Sequence, residues 1–123
     1  MDKRETYRVP LIPPCKARFE WCGRSYSGIT VADVGVNGCC IHAPLRWSDD
    51  FIEFPLLERW EFISPSLPKG STRAQVVWIA PQDGMPGGGM DMGIQFLHPP
   101  AGFTNLLFRF VTLRSSPGVR PWH

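Results

Sequence analysis

The chain offers little from which to build an enzyme. Its 123 residues include three histidines, His42, His98 and His123, and no Ser-His-Asp or Cys-His ordering that marks an activated nucleophile, so a non-enzyme is expected. An excess of charge of one sign is also missing. Thirteen basic against eleven acidic residues leave +2, too little for duplex nucleic acid or a polybasic membrane contact. No stretch approaches the ~18 uninterrupted apolar residues of a membrane span. Met1-Asp2-Lys3-Arg4-Glu5 lacks the apolar core of a signal peptide. A cytoplasmic protein without membrane insertion is therefore expected. Neither G-x-x-x-x-G-K-S/T nor G-x-G-x-x-G is present, so Gly87-Gly88-Gly89 matches a phosphate loop in composition alone. Cys15, Cys22, Cys39 and Cys40 have no zinc-knuckle spacing, and the adjacent pair would point to opposite faces of a strand. Free thiols and no metal are the expectation. Asp49, Asp50 and Glu53 lie on a polar connection and read as solvated charge.

What the chain does contain is strand and turn chemistry. Thirteen prolines and twelve glycines punctuate short apolar runs, which suits a β protein rather than a helical bundle. Residues 1–14 carry Arg4, Arg8, Pro10, Pro13 and Pro14, cannot continue as a helix, and are expected to form an extended arm. Residues 16–21 alternate strictly, with Ala17, Phe19 and Trp21 on one face and Lys16, Arg18 and Glu20 on the other, as a half-buried strand requires. A turn at Cys22-Gly23-Arg24 leads to a second strand over residues 25–34 rich in β-branched side chains. Gly35 and Gly38 bracket a tight turn before a third strand over 39–42. Residues 43–58 read as a long connection before a strand over 59–63. Another strand over 72–79 places Ala74, Val76 and Trp78 on one face. Its partner alternates Met90, Met92, Ile94 and Phe96 with Asp91, Gly93 and Gln95, forming a long hairpin. Past Pro99-Pro100 the period changes: Phe103, Leu106, Leu107, Phe110 and Leu113 form the stripe of an amphipathic helix, and residues 115–123 are expected to fray.

Two features line up with this β pattern. Arg4-Glu5-Thr6-Tyr7-Arg8 places two guanidiniums four residues apart before the first strand. Asp33-Val34-Gly35-Val36-Asn37-Gly38 lies between the second and third. Together they resemble the PilZ domain, a family marked by R-x-x-x-R on an N-terminal arm followed by D/N-x-S-x-x-G. The resemblance extends through the hairpin ending in Met92-Gly93-Ile94-Gln95-Phe96 and the closing helix. It implies a mainly β fold, a six-stranded antiparallel barrel with a C-terminal helix. The expected division is an arm over 1–14, the barrel and helix over 15–114, and a tail over 115–123.

The resemblance also implies a function: binding of the bacterial second messenger cyclic di-GMP, with Arg4, Arg8, Asp33, Gly35 and Gly38 as the ligand-binding residues and no other cofactor. The residue types suit a ligand with two phosphates and two guanines. A guanidinium bonds bidentately to phosphate or to the O6/N7 edge of guanine and stacks on bases. The Asp33 carboxylate accepts from the N1 and N2 donors of guanine, and Gly38 is expected to give the turn a positive φ and let the ligand approach the backbone. Gly35 replaces the motif serine, which removes one hydroxyl. By the resemblance, the ligand orders the arm against the barrel, and a chain this short is expected to deliver its signal to an unidentified protein partner. The alternative is an adaptor that binds no nucleotide and acts by protein contact, motivated by Gly35 and by Phe51, Ile52, Phe54, Leu56 and Leu57. A third reading, an oligonucleotide-binding barrel stacking bases on Trp21, Trp47, Trp60, Trp78 and Trp122, lacks a basic stripe.

Overall fold

The alternation of residues 16–21 is the inner and outer face of a barrel strand: Ala17 and Phe19 are buried, and Lys16 and Arg18 are exposed. The structure is a computed structural model that describes residues 8–82 and 89–114. In chain order it forms β1 (Arg8–Trp21), β2 (Arg24–Gly35), β3 (Gly38–Pro44), a 3-10 turn (Leu45–Trp47), α1 (Ser48–Phe51), β4 (Leu56–Ile63), β5 (Thr72–Gln82), β6 (Gly89–Leu97) and α2 (Phe103–Arg114). The six strands close antiparallel in the order β1-β2-β3-β6-β5-β4, the expected six-stranded barrel with a C-terminal helix.

Turn chemistry explains the first hairpin. Trp21 pairs with Arg24, leaving Cys22-Gly23 as a two-residue loop with both φ angles positive, at 52° and 75°. That is the turn whose twist matches two antiparallel strands. β1 starts earlier than the first alternating residue. Arg8, Val9 and Pro10 pair with Gly35, Val34 and Asp33, so residues 8–14 of the segment read as an arm are strand, and residues 1–7 lie outside the described residues. Pro13 and Pro14 fall in a register irregularity between Pro10 and Cys15, where their missing N–H groups interrupt no ladder.

An aromatic column fills the barrel. Phe19 stacks on Tyr26 and Trp60, Trp60 meets Phe62 and Phe96, and both of those meet Phe103 of α2. Trp47 and Phe51 close one end through Tyr26 and Phe19, and Phe103, Leu107, Phe110 and Val111 of α2 are its buried face. The stripe of α2 is thus narrower than expected, since Leu106 and Leu113 are exposed. The connection over 43–58 is also shorter than expected. β4 begins at Leu56, and before it Phe54 holds a φ of 55°, a left-handed conformation that costs a non-glycine residue about 1–2 kcal/mol. Backbone bonds hold it there: Phe54 N–H donates to Phe51 O at 3.0 Å and Val76 N–H to Pro55 O at 3.1 Å.

β5 departs from the expected alternation. Val76 pairs with Ile94 but Trp78 pairs with Gly93, so Val77 is the extra residue of a bulge, and every side chain after it changes face. Ala74 and Val76 are buried as expected, whereas Trp78 is 40% exposed on the outer surface.

Candidate functional site

The outer surface where β1, β2, β3, β5 and β6 meet carries the site. Arg8 lies opposite Gly35 in the ladder, and its Nη1 donates to Asp33 Oδ1 at 3.0 Å. A pocket of ≈ 240 Å³ opens beside them, lined by Arg8, Gly35, Val36, Asn37, Gly38, Val77, Ile94 and Gln95. The structure thus brings Arg8, Gly35 and Gly38 to one pocket and attaches Asp33 to it through the ion pair. Arg4 lies outside the described residues.

Gly38 is required for a different reason from the one expected. Its φ lies outside the left-handed region that Gly23, Gly28, Gly70 and Gly102 occupy. Instead, a Cβ on Gly38 would sit 2.0 Å from the carbonyl oxygen of Ile94, so only glycine lets β3 approach β6 here. The β2–β3 turn is fastened to the same strand, because Phe96 N–H donates to Asn37 O at 2.8 Å. The pocket floor is therefore fixed by backbone contacts.

Reasoning from sequence missed Asn37, Val77, Gln95 and Trp78. The face of Gln95 follows from the alternation of β6, but the pairing of Gly38 with Gln95 is a long-range register. A row of paired residues crosses the outer face from Asp33 to Cys40, Gly93 and Trp78. Gly93 lies directly beneath the Trp78 indole, where a Cβ would come within 2.1 Å of Nε1. The row thus has the Arg8–Asp33 ion pair at one side and, at the other, a part-exposed Trp78 indole lying over Gly93.

The thiols beneath it are protonated. Burial pushes the Cys39 thiol well above its ordinary value, with nearby Arg8 opposing the shift and Asp33 adding to it. Cys40 is pushed up to about 11, first by burial and then by the Asp33 and Asp91 carboxylates. Burial likewise raises Cys15. All four cysteines are free. His42 Nδ1 pairs with Asp91 Oδ1 at 2.5 Å on neighbouring strands. The nearest thiol on its strand, Cys40, is held neutral, the reverse of what a cysteine nucleophile needs. Among the described residues no group of three or more His, Cys, Asp or Glu side chains is placed to hold a metal ion, and no helix is long and apolar enough to cross a membrane. Of the tryptophans, Trp60 is fully buried and Trp21 and Trp47 pack against the core. Trp122 lies outside the described residues.

With the barrel and its site in view, comparison with known proteins decides the family. The model of the PilZ domain matches residues 2–113. The chain belongs to the PilZ domain family. No match to a curated protein was significant. Among solved structures, this PilZ domain is similar to that of YcgR from Escherichia coli, solved with c-di-GMP: TM-score 0.70 at 15% identity, over 93% of this chain and 92% of the other. It is also similar to the K. pneumonia MrkH–c-di-GMP complex, with TM-score 0.74 and 13% identity over 92% of this chain, but it spans only 53% of MrkH. PlzA of Borreliella burgdorferi in complex with c-di-GMP gives a TM-score of 0.59 at 6% identity, over 86% of this chain and 49% of PlzA. At these identities the likeness is one of fold.

Proposed function

We propose that this PilZ domain is a cyclic di-GMP receptor that signals through a protein partner and performs no catalysis. The observation that carries the reading is the Arg8–Asp33 pair at the mouth of a pocket whose floor is Gly35 and Gly38. A guanidinium there meets a phosphate or the O6/N7 edge of a guanine, and the carboxylate, which has about four lone-pair sites, still accepts from the guanine N1 and N2 donors while holding Arg8. The side-chain amides of Asn37 and Gln95 supply further donors and acceptors, and Val77 offers an apolar wall. Three solved structures of similar fold hold c-di-GMP, which supports the ligand class.

The pocket's ≈ 240 Å³ is below the ~300–1,000 Å³ of sites that enclose a whole drug-sized ligand. It accommodates one end of the nucleotide, with the rest lying on the outer face past Cys40 towards the Trp78 indole. Stacking on an exposed indole contributes about 1–3 kcal/mol per base. Arg4, four residues ahead of Arg8, joins the site as the ligand draws the preceding segment onto the barrel, and the surface so formed is the signal. Arg8 itself is already paired with Gly35 in the β1–β2 ladder, so it is in place before the ligand arrives. Affinity for cyclic di-GMP should fall in Arg4→Ala, Arg8→Ala and Asp33→Ala while the thermal transition of each variant remains cooperative. Undiminished affinity in all three would remove this reading.

A nucleotide-independent adaptor is the second reading. It is favoured by the replacement of the motif serine by Gly35 and by the exposure of Ile52, Phe54 and Leu56, and it predicts a partner complex indifferent to cyclic di-GMP.

A further inference from the structure

β1 runs from Arg8 at the pocket to Trp21 at its far end. At that far end an open depression of ≈ 500 Å³ is lined by Trp21, Asp49, Ile52, Glu53, Pro55 and Leu56. Its apolar side chains face water: Ile52 is 66% exposed and Leu56 39%, and Phe54, between them in sequence, is 44% exposed. The backbone at Phe54 and Pro55, between Ile52 and Leu56, is held in place. Besides the two backbone bonds that fix Phe54 and Pro55, Gln75 Nε2 donates to Phe54 O at 3.5 Å. A strained, tethered segment that displays apolar side chains outward is a feature of recognition surfaces.

The charge at the rim identifies what fits. Asp49 and Glu53 are exposed, and neither makes an ion pair among the described residues. The acids of the adjoining strands do find partners: Glu20 with Arg59, Glu61 with Arg18 and Glu58 with Arg73. In a chain of net charge +2, this depression is locally acidic against the overall sign. An anionic membrane would be repelled by the two carboxylates. A second copy packed by a two-fold axis would bring the same acids against themselves.

We propose that this depression docks a basic amphipathic segment of a partner protein, with apolar side chains seated on Ile52, Leu56 and Trp21 and Lys or Arg side chains meeting Asp49 and Glu53. The inference deepens the partner half of the proposed function and is independent of its nucleotide half. The two depressions share a strand, since Val76 holds Pro55 and the next residue, Val77, lines the Arg8 pocket.

The test uses the full chain without nucleotide, so that its failure is separable from a failure to bind cyclic di-GMP. Two designed helical peptides of equal length, one of leucine and lysine and one of leucine and glutamate, are titrated and followed by backbone amide NMR shifts. The lysine peptide should saturate with shifts centred on Trp21, Asp49 and residues 52–56, bind about tenfold more tightly than the glutamate peptide, and weaken with salt. The double variant D49K/E53K should reverse the preference, and Ile52→Ser should weaken both peptides. No binding of the lysine peptide, equal binding of both, shifts centred elsewhere, or a preference that survives charge reversal would overturn the proposal. Self-association of the chain through this face, abolished by Ile52→Ser, would also overturn it.

Discussion

Arg8 and Asp33 meet at 3.0 Å although they are not ladder partners: Arg8 lies opposite Gly35, and Asp33 lies opposite Pro10. The contact is diagonal across β1 and β2, reaching two residues back along β2 from the partner of Arg8. Each side chain is about a third exposed, at 32%, so solvent screening holds the pair's contribution to folding to about 0.2–1 kcal/mol. Its importance lies in orientation. Arg8→Ala should therefore leave thermal stability within a few degrees of the parent. Cyclic di-GMP affinity should fall about 10- to 150-fold, the equivalent of roughly 1.5–3 kcal/mol for hydrogen bonds to a charged group. Calorimetry on the same samples reads both quantities.

Gly35 makes the complementary prediction. Gly35→Ser restores the hydroxyl of the family motif at a position that lines the pocket. One added hydrogen bond contributes about 0.5–1.5 kcal/mol net. Affinity should rise about 2- to 12-fold in a nucleotide titration.

Gly38 is a structural constraint, and its variant should behave differently. Gly38→Ala sets a methyl against the Ile94 carbonyl, a backbone atom with no room to yield. A cost of about 1–3 kcal/mol or more is expected from the overpacking, visible as a lower urea midpoint, together with loss of ligand binding as the turn is pushed off β6.

These contrasts mark what could be read from the sequence. The strands with uninterrupted alternation, such as Ala17 and Phe19 in β1 and Met90 to Phe96 in β6, are buried as their period requires. So is the closing helix through Phe103, Leu107 and Phe110. Arg8, Asp33, Gly35 and Gly38 were identified through their resemblance to a motif. The position of Trp78 was not legible, because a single bulge residue, Val77, reverses the face of everything after it and leaves no mark in a period-2 pattern. Nor were Asn37 and Gln95, whose place in the site depends on the register of β3 against β6 across more than fifty residues. The need for glycine at position 38 has the same origin: its cause is a distant carbonyl and not the conformation of its own turn.

The cysteines carry a pH dependence whose direction follows from burial. Cys15, Cys39 and Cys40 are all raised above the thiol value of 9.0, Cys40 to about 11. Between those values an unfolded chain has lost thiol protons that the folded chain retains. Stability is therefore fully present below pH ~9 and falls as pH rises towards 11. Urea unfolding across that range should show a declining free energy, and Cys40→Ala should flatten the decline. At neutral pH a thiol reagent should modify exposed Cys22 well before Cys39 and Cys40, as mass spectrometry of partially labelled protein would show.

The receptor claim itself is tested most directly by calorimetric titration of the protein with cyclic di-GMP, with GTP as control and Arg8→Ala alongside. Saturable binding of cyclic di-GMP alone, weakened in a variant that still unfolds cooperatively, is the predicted result. A flat titration of the folded parent protein, or a binding curve that Arg8→Ala leaves unchanged, would contradict it.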